Sequence, residues 1–168
     1  MRCYEQHNFI SCLALDSTFE YFIRGIWSQF KDVADFNWSE FNFSDNSLLV
    51  RYATGHYAPC SWAFVDVDYL LLPMFLPTAE HWILGYVSFI EMELQVYNSV
   101  VSEASTAEVE DVVRGMATIL PHLLKCVGFF SGRQSPCLNS QYQIGQPFVV
   151  SFPETPQQKN KLVRYPFL

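Results

Sequence analysis

From residue 62 to residue 97 the apolar residues come in runs too short for helices and broken by prolines, so this stretch of the chain reads as sheet. Trp62–Val67 and Tyr69–Met74 are rich in Val, Phe and Tyr, which suits buried strands. Pro73 and Pro77 are expected to end that run in a loop, because proline brings no N–H to a ladder. His81–Phe89 reads as the next strand and Ile90–Met92 as a turn. Leu94–Tyr97 reads as the antiparallel partner, with Leu94 and Val96 alternating against Gln95 and Tyr97. The result is a hairpin at the centre of a sheet.

Two helical patterns flank this region. In residues 16–33, Phe19, Phe22, Ile23, Ile26, Trp27, Phe30 and Val33 recur at helical spacing. Ser17 and Glu20 form a capping-box pattern, a cap worth ~1 kcal/mol. In Ser105–Val127 the stripe is Val109, Val112, Val113, Met116, Ile119, Leu120, Leu123 and Leu124. Ser105 and Glu108 form a second capping box. Glu108, Glu110 and Asp111 stand near its start and Lys125 in its last turn, as the helix dipole prefers. Pro121 predicts a kink or a break. Residues 34–60 read as irregular structure pinned by aromatic rings. Residues 128–147 read as a loop, Phe148–Phe152 as a last strand, and 153–168 as a polar tail. Neither an internal repeat nor a linker divides the chain, so residues 1–168 are expected to form one domain.

Composition removes several function classes. Apolar residues make up 50% of the 168, too many for a disordered chain. The formal charge is −7, from 10 basic and 17 acidic residues, and no basic cluster offers phosphate contacts, so no nucleic acid is expected as partner. No apolar stretch is long enough to cross a membrane, and the first ten residues lack a signal-peptide core. The five cysteines, at 3, 12, 60, 126 and 137, have no zinc spacing. They read as reduced thiols of an intracellular protein, nuclear or cytoplasmic. No metal and no cofactor is expected.

The chemistry-bearing residues lie on the hairpin. His81 opens one strand and Asn98 closes the other, 17 positions later. A hairpin brings its outer ends together, so the two are expected side by side. The Asn98 oxygen would then accept from one imidazole nitrogen and leave the other free as a base. Taken singly, a histidine before a tryptophan suits a structural role, and Asn98-Ser99 an ordinary turn.

The combination goes further. Asp66-x-Asp68-Tyr69, His81-Trp82-Ile83-Leu84, Val96-Tyr97-Asn98-Ser99, a long helix and Thr155-Pro156-Gln157-Gln158-x-Asn160 follow one another in order. Over residues 62–160 this resembles the ubiquitin-like-specific (SUMO) cysteine protease family, in its divergent plant and transposon-associated form. The resemblance implies an α+β fold of the papain-like superfamily: a small central mixed sheet flanked by helices, incomplete at the C-terminus. It implies His81 as general base, Asn98 in place of the usual aspartate, Gln158 as oxyanion-hole donor and Trp82 as roof of a channel for a Gly-Gly tail. The implied partner is a SUMO-like ubiquitin-like protein or its conjugates, and the implied reaction is thiol-dependent proteolysis after Gly-Gly.

Two departures qualify the implied activity. Asn98 orients an imidazole but stabilises its cation less than an aspartate does. The family carries its nucleophile in an Asp-Cys-Gly run shortly after the Pro-Gln-Gln stretch, whereas here the sequence reads Lys161-Leu162-Val163-Arg164 and no cysteine follows Gln158. Cys126 falls on the apolar helix face and is expected to be buried. Cys137 has only Arg133 nearby to lower its pKa. The expectation is a family member inactive as written. The alternatives are a non-catalytic module that binds a ubiquitin-like protein, or an inert gene fragment.

Overall fold

The computed structural model describes residues 11–44, 47–57, 62–100, 103–133 and 141–157. In chain order the elements are β1 (Cys12–Ala14), α1 (Ser17–Phe30), α2 (Leu48–Ala53), β2 (Tyr69–Leu76), β3 (His81–Ser88), β4 (Glu93–Tyr97), α3 (Glu103–Cys126), α4 (Phe129–Gly132) and β5 (Val149–Ser151). The five strands form one sheet in sequence order. It is mixed: β2, β3 and β4 are antiparallel, while β1 pairs parallel with β2 and β5 parallel with β4. This is the α+β architecture expected. Among the described residues no helix is long and apolar enough to cross a membrane, and no cluster of His, Cys, Asp and Glu could hold a metal ion.

Strict alternation gives the sheet its two faces. Leu70, Leu72, Met74 and Leu76 of β2 are buried, as are Ile83 and Val87 of β3 and Leu94 and Val96 of β4. They share one core with Phe19, Ile23 and Trp27 of α1 and with Val109, Met116, Leu120 and Leu124 of α3. On the opposite face Trp82, Leu84 and Val149 are exposed.

Pro73 does not end β2. It pairs with Leu84 of β3 inside an eight-residue strand. The reason lies on the other side, where β1 stops opposite Leu71, so β2 beyond that point is an edge, where proline is tolerated. The edge is then covered by α1. Glu20, buried at 4% exposure, pairs with Arg24, whose guanidinium donates to the Phe75 carbonyl. Burial raises the Glu20 pKa, against the charge and hydrogen bond of Arg24 and the Phe75 N–H. An edge strand left bare would invite pairing with another chain.

Trp62–Val67 is not a strand. Phe64–Asp66 makes a 3-10 turn closed by Asp66 N–H to Ala63 O and Val67 N–H to Phe64 O. Its one fully buried ring, Phe64, wedges edge-on against Phe19 and tilted against Phe89. The run does not alternate, so one anchor rather than a face is buried. Residues 34–60 include the short helix α2, and residues 128–147 include α4.

Both capping boxes are displaced. Asp16 caps α1, accepting from Thr18 N–H at 2.9 Å, while Ser17 is already helical. Ser105 lies inside α3, which is under way at Glu103. Nor does Pro121 break α3, which runs unbroken to Cys126. Pro121 has no N–H for the Ala117 carbonyl, and Phe148 N–H takes that carbonyl at 3.0 Å. The proline thus gives the strand after it a docking point on the helix.

The two long helices meet at Asp111. It accepts from the Trp27 indole N–H at 3.0 Å and pairs with Lys31 at 2.9 Å. Burial works to raise the Asp111 pKa. The hydrogen bonds of Lys31 and Trp27, with the charges of Lys31 and Arg114, outweigh it and bring the pKa below the ordinary value. A depressed carboxyl pKa stabilises the fold above the unfolded-state pKa of about 3.9 and loses that contribution as pH falls through the folded value. Asp111→Asn should therefore lower the urea midpoint at neutral pH. The gap to the parent should close as pH drops below about 4. A gap that stays constant down to the lowest pH at which the fold persists would disprove the linkage.

Candidate active site

His81 occupies the first position of β3, paired with Leu76. Its parity places it on the core face beside Ile83, at 8% exposure, and its buried Nε2 has no hydrogen-bond partner among the described residues. Trp82, the next residue, necessarily faces the other way. It is 53% exposed and packs against Phe75 at 4.9 Å between ring centroids.

Asn98 follows the last residue of β4. The β3–β4 ladder ends at Leu84 and Tyr97, and the same register carried one step further sets Asn98 across from Ile83. Two-residue alternation puts Asn98 on the face of Leu94 and Val96, which is also the face of His81. His81 opens β3 and Asn98 follows β4, so both stand at the outer end of the hairpin. The Asn98 side-chain oxygen accepts from Val100 N–H at 3.0 Å, a local turn bond.

A cleft of about 390 Å³ opens beside Asn98. Val96, Val109, Phe152 and Pro153 give it apolar walls, and Asn98, Thr106 and Glu110 its polar groups. It lies between the ends of β4 and β5 and the first turns of α3. Just past it Gln157 donates through Nε2 to the Asn98 carbonyl at 3.1 Å and to the Thr155 carbonyl at 2.9 Å. The Thr155-Pro156-Gln157 run therefore reaches the end of the hairpin. Gln158 and Cys137 lie outside the described residues.

Cys126 is exposed rather than buried. It is the last residue of α3, where the apolar stripe has already given way to Lys125, and its Sγ contacts the Phe43 carbonyl at 3.9 Å. Asp68, singled out in the sequence, is structural. Its carboxylate binds the Arg133 guanidinium at 2.5 Å and the Ser11 hydroxyl at 3.3 Å.

One participant escaped sequence reasoning. The Glu108 carboxylate accepts from Thr78 N–H at 3.0 Å with one oxygen and from Ala79 N–H at 3.2 Å with the other. Its place three residues after Ser105 reads as a capping box, and nothing local shows that the side chain reaches a turn 29 residues back.

The chain matches the model of the Ulp1 protease family, C-terminal catalytic domain, over residues 11–162. Among solved structures it is similar to the SUMO protease Ulp1 with its catalytic cysteine oxidised to a sulfonic acid, at 15% identity and a TM-score of 0.43, covering 89% of this chain and 50% of that one. It is also similar to the C-terminal Ulp1 protease domain in complex with Smt3, the yeast ortholog of SUMO, at 18% identity and a TM-score of 0.40, covering 87% and 58%. The chain thus spans half to three fifths of the length of these structures. No match was found among curated proteins. With all of its described residues inside the family match, the chain belongs to the Ulp1 protease family and lies in its C-terminal catalytic domain.

Proposed function

We propose that this chain is part of a thiol peptidase domain that receives the C-terminal Gly-Gly tail of a SUMO-like ubiquitin-like protein inside the cell. The family match over residues 11–162 carries the proposal. In it His81 takes the place of the general base, Asn98 of the orienting acceptor, Gln158 of the oxyanion donor and Trp82 of the channel roof. The shared face of His81 and Asn98 supports the first two assignments. For the base to act, Asn98 must exchange its bond to Val100 N–H for one to the imidazole, a side-chain rotation of the kind substrate binding brings about.

These 168 residues alone are proposed not to hydrolyse conjugates. Thiol catalysis needs a thiolate, formed when a neighbouring imidazole removes the proton of a group with pKa ~8.5. The sequence has no cysteine after Gln158, and Cys126 stands at the far end of α3 from the cleft. A non-catalytic module that holds the tail is the second reading, favoured by the engagement of Asn98 with Val100 rather than with His81.

One experiment addresses both readings. The chain is mixed with a SUMO-type protein carrying an electrophile at its C-terminus, and binding and intact mass are measured. The expected result is reversible binding weakened roughly tenfold or more by Trp82→Ala, as for an aromatic anchor, and no adduct. Absence of binding, or binding indifferent to Trp82→Ala, defeats the tail-binding reading. An adduct on Cys126 or Cys137 that disappears in His81→Ala defeats the proposed inactivity.

A further inference from the structure

The turn between β2 and β3 is held from outside itself. Pro77-Thr78-Ala79-Glu80 joins Leu76 to His81. The hydrogen bond across the turn, Glu80 N–H to Pro77 O, is long at 3.4 Å. Glu80 has φ of 49°, a left-handed conformation that non-glycine residues adopt at a cost. Such a turn persists when its surroundings fix it. What fixes this one is Glu108 of α3, whose two oxygens take the N–H groups of Thr78 and Ala79 at 3.0 and 3.2 Å. A carboxylate spread over two backbone donors is a strong, directional clamp.

His81 comes two residues after the clamped N–H of Ala79, at the first paired position of its strand. Strand ends fray, and among the described residues its Nε2 has no hydrogen bond to hold the ring. The same turns of α3 carry Thr106, Val109 and Glu110, which line the cleft together with Asn98. One stretch of helix therefore touches the segment before His81 and the cleft around Asn98. It is a bracket across the two ends of the hairpin.

We propose that Glu108 is a positioning residue that fixes His81 relative to Asn98 by clamping the Thr78–Ala79 turn. The proposal rests on the reading of His81 as the base, and it assigns Glu108 no contact with substrate. Glutamine at this position keeps the helix and the shape but replaces one acceptor by an N–H2 group facing an N–H donor. Aspartate keeps the charge and falls a methylene short. Both break the clamp by different routes.

The test uses the whole chain, labelled at histidine for NMR, with a SUMO-type protein ending in Gly-Gly as ligand. In Glu108→Gln and Glu108→Asp the His81 ring signals are expected to shift and broaden. The signals of His56 and the far-UV circular dichroism should stay as in the parent. Affinity for the SUMO-type protein should fall about tenfold, the worth of one strong hydrogen bond. If both variants lower the melting temperature but leave the His81 signals unchanged, Glu108 is merely structural and the proposal is overturned. If the parent binds no SUMO-type protein and its His81 signals still respond to both variants, the functional reading fails while the positioning role stands.

Discussion

Arg133→Ala should remove about 3–5 kcal/mol of folding stability, the cost of leaving one member of a buried ion pair alone. The Arg133 side chain is 5% exposed and that of Asp68 21%. Its guanidinium donates to the Val67 carbonyl and the Asp68 carboxylate, both at 2.5 Å. It also lies over the rings of Phe129 and Phe89, at 5.3 and 5.9 Å from their centroids. Asp68 stands where several elements converge. Its backbone N–H bonds Ser11 just before β1, and its carbonyl accepts from Phe89 N–H just after β3. Among the described residues, truncating the arginine leaves that carboxylate with the Ser11 hydroxyl. Against a whole-domain stability of roughly 5–15 kcal/mol the loss is large. Arg133→Met with Asp68→Asn should cost clearly less than the sum of the single changes, since neutralising both partners removes the stranded charge. Urea denaturation followed by circular dichroism measures all three. A single-variant loss below about 1 kcal/mol would place the pair among solvent-screened bridges and refute the buried-anchor account.

Arg133 also illustrates what the sequence could and could not convey. The period of α1 and α3 and the alternation of β3 and β4 are local properties, and the helices and the hairpin follow them to within a few residues. Pro73 misleads because its tolerance depends on where a different strand, β1, stops. Strand β1, only three residues long, leaves too short a pattern to recognise. Asp16 lost the cap to Ser17 in the sequence because both residue types cap well, and only the backbone geometry decides. For the site, the order of motifs pointed to the hairpin ends, and alternation by itself puts His81 and Asn98 on one face. The Glu108 clamp, the Ala117–Phe148 bond and the Asp68–Arg133 pair are long-range contacts. A carboxylate or a freed carbonyl in a helix pattern does not name its partner.

Gly115 and Gly25 both lie inside helices, and the same substitution should act on them with opposite sign. Alanine is about 1 kcal/mol better than glycine in a helix interior. At Gly25 an added Cβ meets nothing within 4 Å, so Gly25→Ala should gain about 0.5–1 kcal/mol. At Gly115 the added Cβ falls 2.7 Å from Trp27 Cγ and 3.0 Å from both Trp27 Cβ and Cδ1. These atoms sit at the root of the indole, so the side chain cannot swing clear by moving its tip. It is further held by the N–H bond to Asp111, one helical turn before Gly115, and by stacking on Trp38 with ring centroids 5.8 Å apart. Overpacking costs about 1–3 kcal/mol, enough to exceed the helix gain. Gly115→Ala should therefore lower stability, and Gly115→Leu, which drives a whole side chain between α1 and α3, should lower it far more. Trp27→Leu with Gly115→Ala should recover part of the loss, because the smaller residue frees the space the new methyl needs. A Gly115→Ala variant more stable than the parent would mean that α1 and α3 separate at little cost. The close crossing of the two helices at Trp27 would then contribute nothing to holding α3 against the sheet.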